Sequence, residues 1–393
     1  MAVGGAAVVS GCATTSVESN PGLSVDNPAN GGQGTKAWYI RGAKRAPSSL
    51  IESYSPMSSA LPGEPITVHT STSADEWNLE VFRIGDYEGL GGVRIAQLGP
   101  FPGEKQSGPK QVSDTRTMVA NWPVSTEVDT TGWAPGFYLL HAIAKDKRTE
   151  IPVVIRSAES KDAVAMIASA TTWQAYNQWG GRSLYGNMSG NIAERSYAVS
   201  FDRPYDRRGR GLLYAFEIPI MRVAEEAGVP LAYMTNVDIT LNPNILDGAT
   251  AAVSTGHDEY WTVQYRDALD RLRDKGGNLA FFGANTCYWR VRVPDSGDDA
   301  GKLVTCYKSA SLDPVKDSRA TTARWRDAPH ANPENAIIGQ LYDAFPATGA
   351  LTIRDPDFFL FADTDATEGA KYEGLIGPET DRFYDNKATP RPI

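Results

Sequence analysis

Three short stretches concentrate side chains that can do chemistry. His257, Asp258, Glu259 and Tyr260 stand in a row in GHDEYW, residues 256–261. Asn285 and Cys287 lie in GANTCYWR, residues 283–290, and Tyr176 lies in TTWQAYNQWGG, residues 171–181. Each stretch mixes polar, titratable and aromatic residues. Helix capping needs one polar side chain and does not call for Trp, Tyr and Asn in all three. The Asp258–Glu259 pair could still serve as the acidic start of a helix, so a cap and a reactive site both stand at this point. Cys287 lacks the tight Gly-x-Cys-x-Gly turn of a nucleophile elbow. The four histidines, His69, His141, His257 and His330, are too scattered for a zinc motif. The sequence has no H-E-x-x-H, no paired C-x-x-C and no G-x-S-x-G, which removes the zincin and serine-hydrolase readings.

The surrounding elements must place these stretches. Residues 163–168 form a continuous apolar strand, and strands and helices alternate after it. Residues 214–228 read as a helix with a glycine stop, VPLAYM and ATAAVSTG as strands, 262–275 as a helix and NLAFFG as a strand. Tyr265, Ala268, Leu269 and Leu272 follow the i, i+3, i+4, i+7 pattern of one buried helix face. Alternating strands and helices predict a doubly wound parallel α/β sheet over residues 158–393, whose ligands sit beyond the carboxyl ends of the strands. All three stretches fall at such ends. Upstream, EPITVHTST, NLEVFRI, GFYLLHAIA and EIPVVIR are short strands between Pro/Gly turns, predicting an all-β, Ig-like sandwich over residues 36–157. Later, ALTIRD and FFLFAD read as further strands, and the last 15 residues as unstructured.

The chain has 393 residues, 41% of them hydrophobic, and a net charge of −9. That balance argues against nucleic acid as a partner. Its one basic cluster, DRRGRG at 206–211, reads as a solvated loop. Residues 1–35 combine a lipobox-like VSGC ending at Cys12 with a Ser/Asn/Gly/Pro linker. They predict export from a bacterium, either to an extracytoplasmic location without a lipid or to the cell surface, where the membrane would be touched only through a lipid on Cys12. Cys287 and Cys306 are then left as a disulfide pair or as two buried thiols.

WQAYNQWGGRSLY, SFDRPY, TNVDI, GHDEYW and FFGANTCYWRVR together resemble the C-terminal domain of the N,N-dimethylformamidase large subunit and its relatives. VFRIGDYEGLGGVRI and GWAPGFYLL resemble the β-sandwich that precedes it, so the resemblance runs from about residue 45 to about 382. It implies a class I glutamine amidotransferase-like domain and an amide hydrolase. It also implies one Fe(III) per chain, held by two tyrosinates and a glutamate. Carried onto this chain, the metal ligands are Glu259, Tyr176 and Tyr138. Three hard oxygen donors suit a hard cation and leave positions open for water and a substrate carbonyl. His257 then becomes the candidate for proton transfer and Asn285 for a hydrogen bond to the developing oxyanion, with Asp258 holding the turn. The implied partners are a small amide substrate, and either a homo-oligomer or a separate small subunit. The relatives run on into further strands, so a truncated chain is a further expectation. The alternative from another class is a cell-surface module that binds glycan or peptide with the same fold and no catalysis.

Overall fold

The computed structural model describes residues 32–316 and 318–384; the expectations about Cys12 and the segment before residue 32 lie outside them. Besides a short hairpin of Lys110–Val112 with Thr117–Val119, the first part of the chain supplies eight strands to two sheets: β1 (Ile51–Tyr54), β2 (Ser59–Ala60), β3 (Ile66–Thr72), β4 (Glu76–Ile84), β5 (Gly92–Pro102), β6 (Thr126–Val128), β7 (Gly136–Ala144) and β8 (Lys147–Ile155). They form one sheet in the order β1-β3-β6 and another in the order β2-β8-β7-β4-β5. The ladders are antiparallel except β2 with β8. Side chains alternate across a strand, and here both faces of the larger sheet are covered. Leu79, Val81, Tyr138 and Leu140 meet Ile51, Ile66 and Val68 of the smaller sheet. Phe82, Ile84, Phe137 and Leu139 turn the other way and meet Met166, Leu231 and Tyr233. This two-sided burial is why β4 and β7 are so uniformly apolar. A buried ion pair ties the halves together: Arg83 of β4 donates to Glu225 at 2.8 Å, and the Tyr233 hydroxyl donates to the same carboxylate at 2.6 Å.

The second part contains β9 (Val164–Ala168), α1 (Ala170–Tyr176), α2 (Arg207–Leu212), α3 (Ile218–Glu226), β10 (Leu231–Thr235), α4 (Asn236–Leu241), β11 (Ala251–Ser254), α5 (Val263–Asp274) and β12 (Asn278–Phe281). The four strands are all parallel, in the order β10-β9-β11-β12. Met166 and Ala168 pack against Trp173, Leu213 and Met221 on one face. Ala165 and Ile167 pack against Ile239, Leu269 and Leu272 on the other. A parallel strand covered on both faces reads as a continuous apolar run, as β9 does. Thr262 caps α5 by accepting from Tyr265 N at 3.1 Å, and Gly276, at φ 92°, ends it.

Four sequence expectations change. DRRGRG is helical, because the Asp206 carboxylate accepts from Arg208 N and Gly209 N and so caps α2. A π-helical turn, Leu213–Glu217, then joins α2 to α3. FFLFAD is a 3-10 turn at Phe359–Phe361, since its unbroken apolar run has no strand beside it to pair with. The chain end is partly ordered: β13 (Leu341–Ala344) pairs with β16 (Thr380–Arg382), and β14 (Gly349–Thr352) with β15 (Lys371–Ile376). The β16 strand is polar and carries no apolar signal; Arg382 instead holds Asp343 of β13 at 2.6 Å. Cys287 and Cys306 are two buried free thiols.

Candidate active site

The carboxyl ends of β9, β11 and β12 open on the same side of the sheet, where ligands bind in such folds. After β11 the chain turns at Gly256, and after β12 at Gly283. A Cβ on Gly283 would lie 2.5 Å from the Gly256 carbonyl oxygen, and one on Gly256 would lie 2.7 Å from Glu217 Cγ. Only glycine allows the two turns to cross this closely. Beyond the crossing, the segments run side by side. Cys287 N donates to Asp258 O at 2.9 Å, Trp289 N to Glu259 O at 2.8 Å and Val291 N to Trp261 O at 2.9 Å. Asn285 sits at φ 62°, a left-handed conformation that Asn adopts more readily than most residues.

Tyr176, at the end of α1, places its hydroxyl 2.8 Å from Glu259 Oε2, 3.0 Å from His257 Nε2 and 3.0 Å from the Tyr185 hydroxyl. Tyr185 donates to the other oxygen, Glu259 Oε1. Both carboxylate oxygens therefore face a phenol. Burial and the Glu259 charge push both phenols well above their ordinary pKa. Burial would also raise Glu259, but the His257 hydrogen bond and charge, with Lys308, outweigh it and hold the carboxylate below its ordinary value. Burial would lower His257; Glu259 and Glu379 outweigh that and raise it. His257 Nδ1 lies 3.2 Å from the Ala284 carbonyl oxygen, which can only accept, so Nδ1 carries a proton. Nε2, facing the phenol and the carboxylate, is then the nitrogen whose proton can change.

Asp258 points away from this cluster. It accepts from Tyr265 Oη at 2.8 Å and from Asn236 Nδ2 and Ser254 Oγ at 3.2 Å, and burial pushes it up to about 6. Its contacts are those of a residue that holds the turn. Tyr260 and Trp261 are fully buried. Glu259 is not a helix cap, since Thr262 caps α5.

Tyr138 is the sequence-predicted ligand that the fold does not bring to the site. It lies in the core between the two antiparallel sheets, stacked on Trp133 at 5.0 Å, with its hydroxyl donating to Ala134 O at 2.7 Å. The second phenol is Tyr185. Its signal lay nine residues past Tyr176, in QWGGRSLY: Gly180 and Gly181 have φ of 79° and 94° and turn the chain back, so that the two tyrosine rings meet at 4.5 Å. Three further residues carried no local signal. Lys308 Nζ sits 3.6 Å from the centre of the Tyr185 ring and 4.8 Å from that of Trp289; burial lowers it to about 8 against the opposing pull of Glu259. Glu379 lies 3.6 Å from His257 Nδ1. Asp381 of β16 accepts from Asn285 N at 2.9 Å.

Tyr176, Tyr185, His257, Glu259 and Asn285 all line one cavity of about 950 Å3. Asn285 Oδ1 is buried there without a partner. Among the described residues, no group of three or more His, Cys, Asp or Glu is placed to hold a metal. A metal at this site would therefore have to use the phenols. The profile of the family described as N,N-dimethylformamidase beta subunit-like, C-terminal, matches residues 78–393. Its first matched residue falls inside β4, so the matched region takes in most of the larger antiparallel sheet as well as the parallel one. No curated protein matches the chain. The site-bearing part of this chain, residues 78–393, belongs to the N,N-dimethylformamidase beta subunit-like family.

Proposed function

We propose that this chain is an amide hydrolase whose Tyr176, Tyr185 and Glu259 hold one ferric ion. The observation that carries the reading is the meeting of two phenols on the two oxygens of one buried carboxylate, beside a histidine and at the floor of a cavity. The set fits a hard cation. It offers three oxygen donors of the kind Fe(III) prefers, two of them phenols whose protons the charge of a bound cation would displace. When bound, the ion would supply Lewis acidity toward an amide carbonyl and toward water. We also read the two antiparallel sheets as an Ig-like sandwich and the parallel sheet as an amidotransferase-like fold.

The chain's own groups do the rest. The cavity admits the amide, and the Glu259 carboxylate that lines it is buried. Asn285 lines the cavity, and its Nδ2 would donate to the developing oxyanion, since the unpartnered Oδ1 can only accept. In the reaction, the oxygen of a water molecule bonds to the carbonyl carbon and the C–N bond breaks. His257 Nε2 takes the water proton and returns it to the leaving nitrogen, giving a carboxylic acid and an amine. Glu259 and Glu379 hold the imidazole in its charged form after the first transfer.

Metal analysis of the purified protein tests this: about one iron per chain is expected, with a visible phenolate-to-iron absorption band. Glu259→Ala should lose both. A colourless protein that refuses added ferric iron would overturn the metal assignment. An iron-loaded protein that releases no amine from any of a broad set of amides would leave the binding-module alternative.

A further inference from the structure

The walls of the cavity differ in chemistry from its floor. Glu259 and Asn285 are buried at the bottom, whereas the rim carries large apolar side chains that no other described residue covers. Phe282 is 51% exposed, Phe345 62% and Leu375 62%, and all three line the cavity. Phe216, 41% exposed, joins them from the π-helical turn before α3, with its ring 6.2 Å from that of His257. Clustered exposure of this kind marks a binding surface, whereas single exposed apolar residues need no explanation. Such π turns also recur where a helix presents a residue to a site.

Size and charge narrow the ligand. A volume of about 950 Å3 lies near the top of the roughly 300–1,000 Å3 range of sites that enclose drug-sized molecules. An amide of a few heavy atoms would leave most of it to water. The lining residues include Glu379 and Asp381 besides Glu259, and no Lys or Arg. A carboxylate held along the rim would meet the like charges of Glu379 and Asp381 and find no Lys or Arg among the lining residues to pair with.

We propose that the cavity takes uncharged amides bearing an extended apolar chain or ring, which lies along the Phe216–Phe282–Phe345–Leu375 rim while the amide reaches the polar floor. The scissile bond rests on the amide-hydrolase reading; the preference for an apolar, uncharged ligand rests on the walls alone. The two are separated by ketones, which keep the carbonyl and have no C–N bond to cut. Calorimetric titration of the metal-free protein with the 2-alkanones from acetone to 2-nonanone should tighten about three- to fourfold per methylene until the cavity is filled. Nonanoate should bind at least tenfold more weakly than 2-nonanone. Phe282→Ser combined with Phe345→Ser should flatten the chain-length dependence without changing iron content. Equal affinity for acetone and 2-nonanone, or binding of nonanoate as tight as that of 2-nonanone, would overturn the inference, whatever the activity. Chain-length-dependent binding of ketones with no hydrolysis of octanamide would support it and remove the hydrolase reading instead.

Discussion

Glu217 is a fully buried acid that the mechanism does not use, and its pH response is open to a direct test. Its Oε1 accepts from Trp173 Nε1 at 2.7 Å and from Ser169 N at 3.3 Å, while Oε2 is buried without a partner. Burial raises the carboxyl to about 8, with Asp258, another acid, adding to the rise against these hydrogen bonds. Below about pH 4.5 the folded and unfolded chains both hold the proton. Between 4.5 and about 8 only the folded chain holds it, so stability falls as pH rises, and above about 8 the slope vanishes. The rise corresponds to on the order of 5 kcal/mol, at ~1.4 kcal/mol per tenfold change in proton affinity. That is a large part of the roughly 5–15 kcal/mol by which domains are stable. Glu217→Gln keeps the shape and an acceptor for Trp173 but cannot ionise. Urea unfolding of both proteins at pH 5, 6.5 and 8.5 should show near-equal midpoints at pH 5 and a widening advantage for the Gln variant above it. Asp258 titrates in both proteins, so its own titration cancels in the difference and only its interaction with Glu217 remains. A gap that stays constant across these pH values would refute the reasoning, because Glu217 would then bind its proton no more tightly folded than unfolded.

Three other perturbations bear on the site and its scaffold. Tyr185→Phe should weaken and shift the visible band of the iron-loaded protein, leaving the share that Tyr176 gives, whereas Tyr138→Phe should keep it unchanged and lose about 1 kcal/mol of stability through the hydrogen bond to Ala134 O, as read by spectrophotometry and urea unfolding. Arg83→Met should cost about 3–5 kcal/mol by leaving Glu225 charged and unpaired in the interior, and adding Glu225→Leu should recover much of that loss in the same unfolding assay. His257→Gln should lower kcat for amide hydrolysis by ~10²–10⁴ while iron content stays within a factor of two, as followed by amine release and metal analysis.

What could be read before folding follows from how far each signal travels along the chain. The strands and α5 were legible because apolar period and glycine stops are local: Leu269 and Leu272 mark the helix face they occupy. The three loops were legible because a parallel sheet puts every strand's carboxyl end on one side, so Tyr176, His257 and Asn285 needed only the strand order to be brought near one another. The choice of second phenol was different. A tyrosine ligand has no spacing signature of the kind that paired cysteines or histidines carry on a turn or helix. Tyr138 and Tyr185 were therefore separable only by which face of which strand they occupy. In β7, Tyr138 shares its face with Leu140, and that alternation sends it into the core between the antiparallel sheets, away from the parallel sheet. The Gly180–Gly181 turn was the local clue that favoured Tyr185, since a chain reversal just after Tyr176 must lay the next residues back beside it. Lys308, Glu379 and Asp381 had no such clue. Lys308 follows a two-stranded pairing of Leu303–Thr305 with Ala198–Ser200, and Glu379 and Asp381 depend on β16 finding β13. Each reaches the site through a contact between segments far apart in sequence. The charge environment of His257 and Glu259 is thus a property of the closed fold, even though both residues sit in one six-residue stretch.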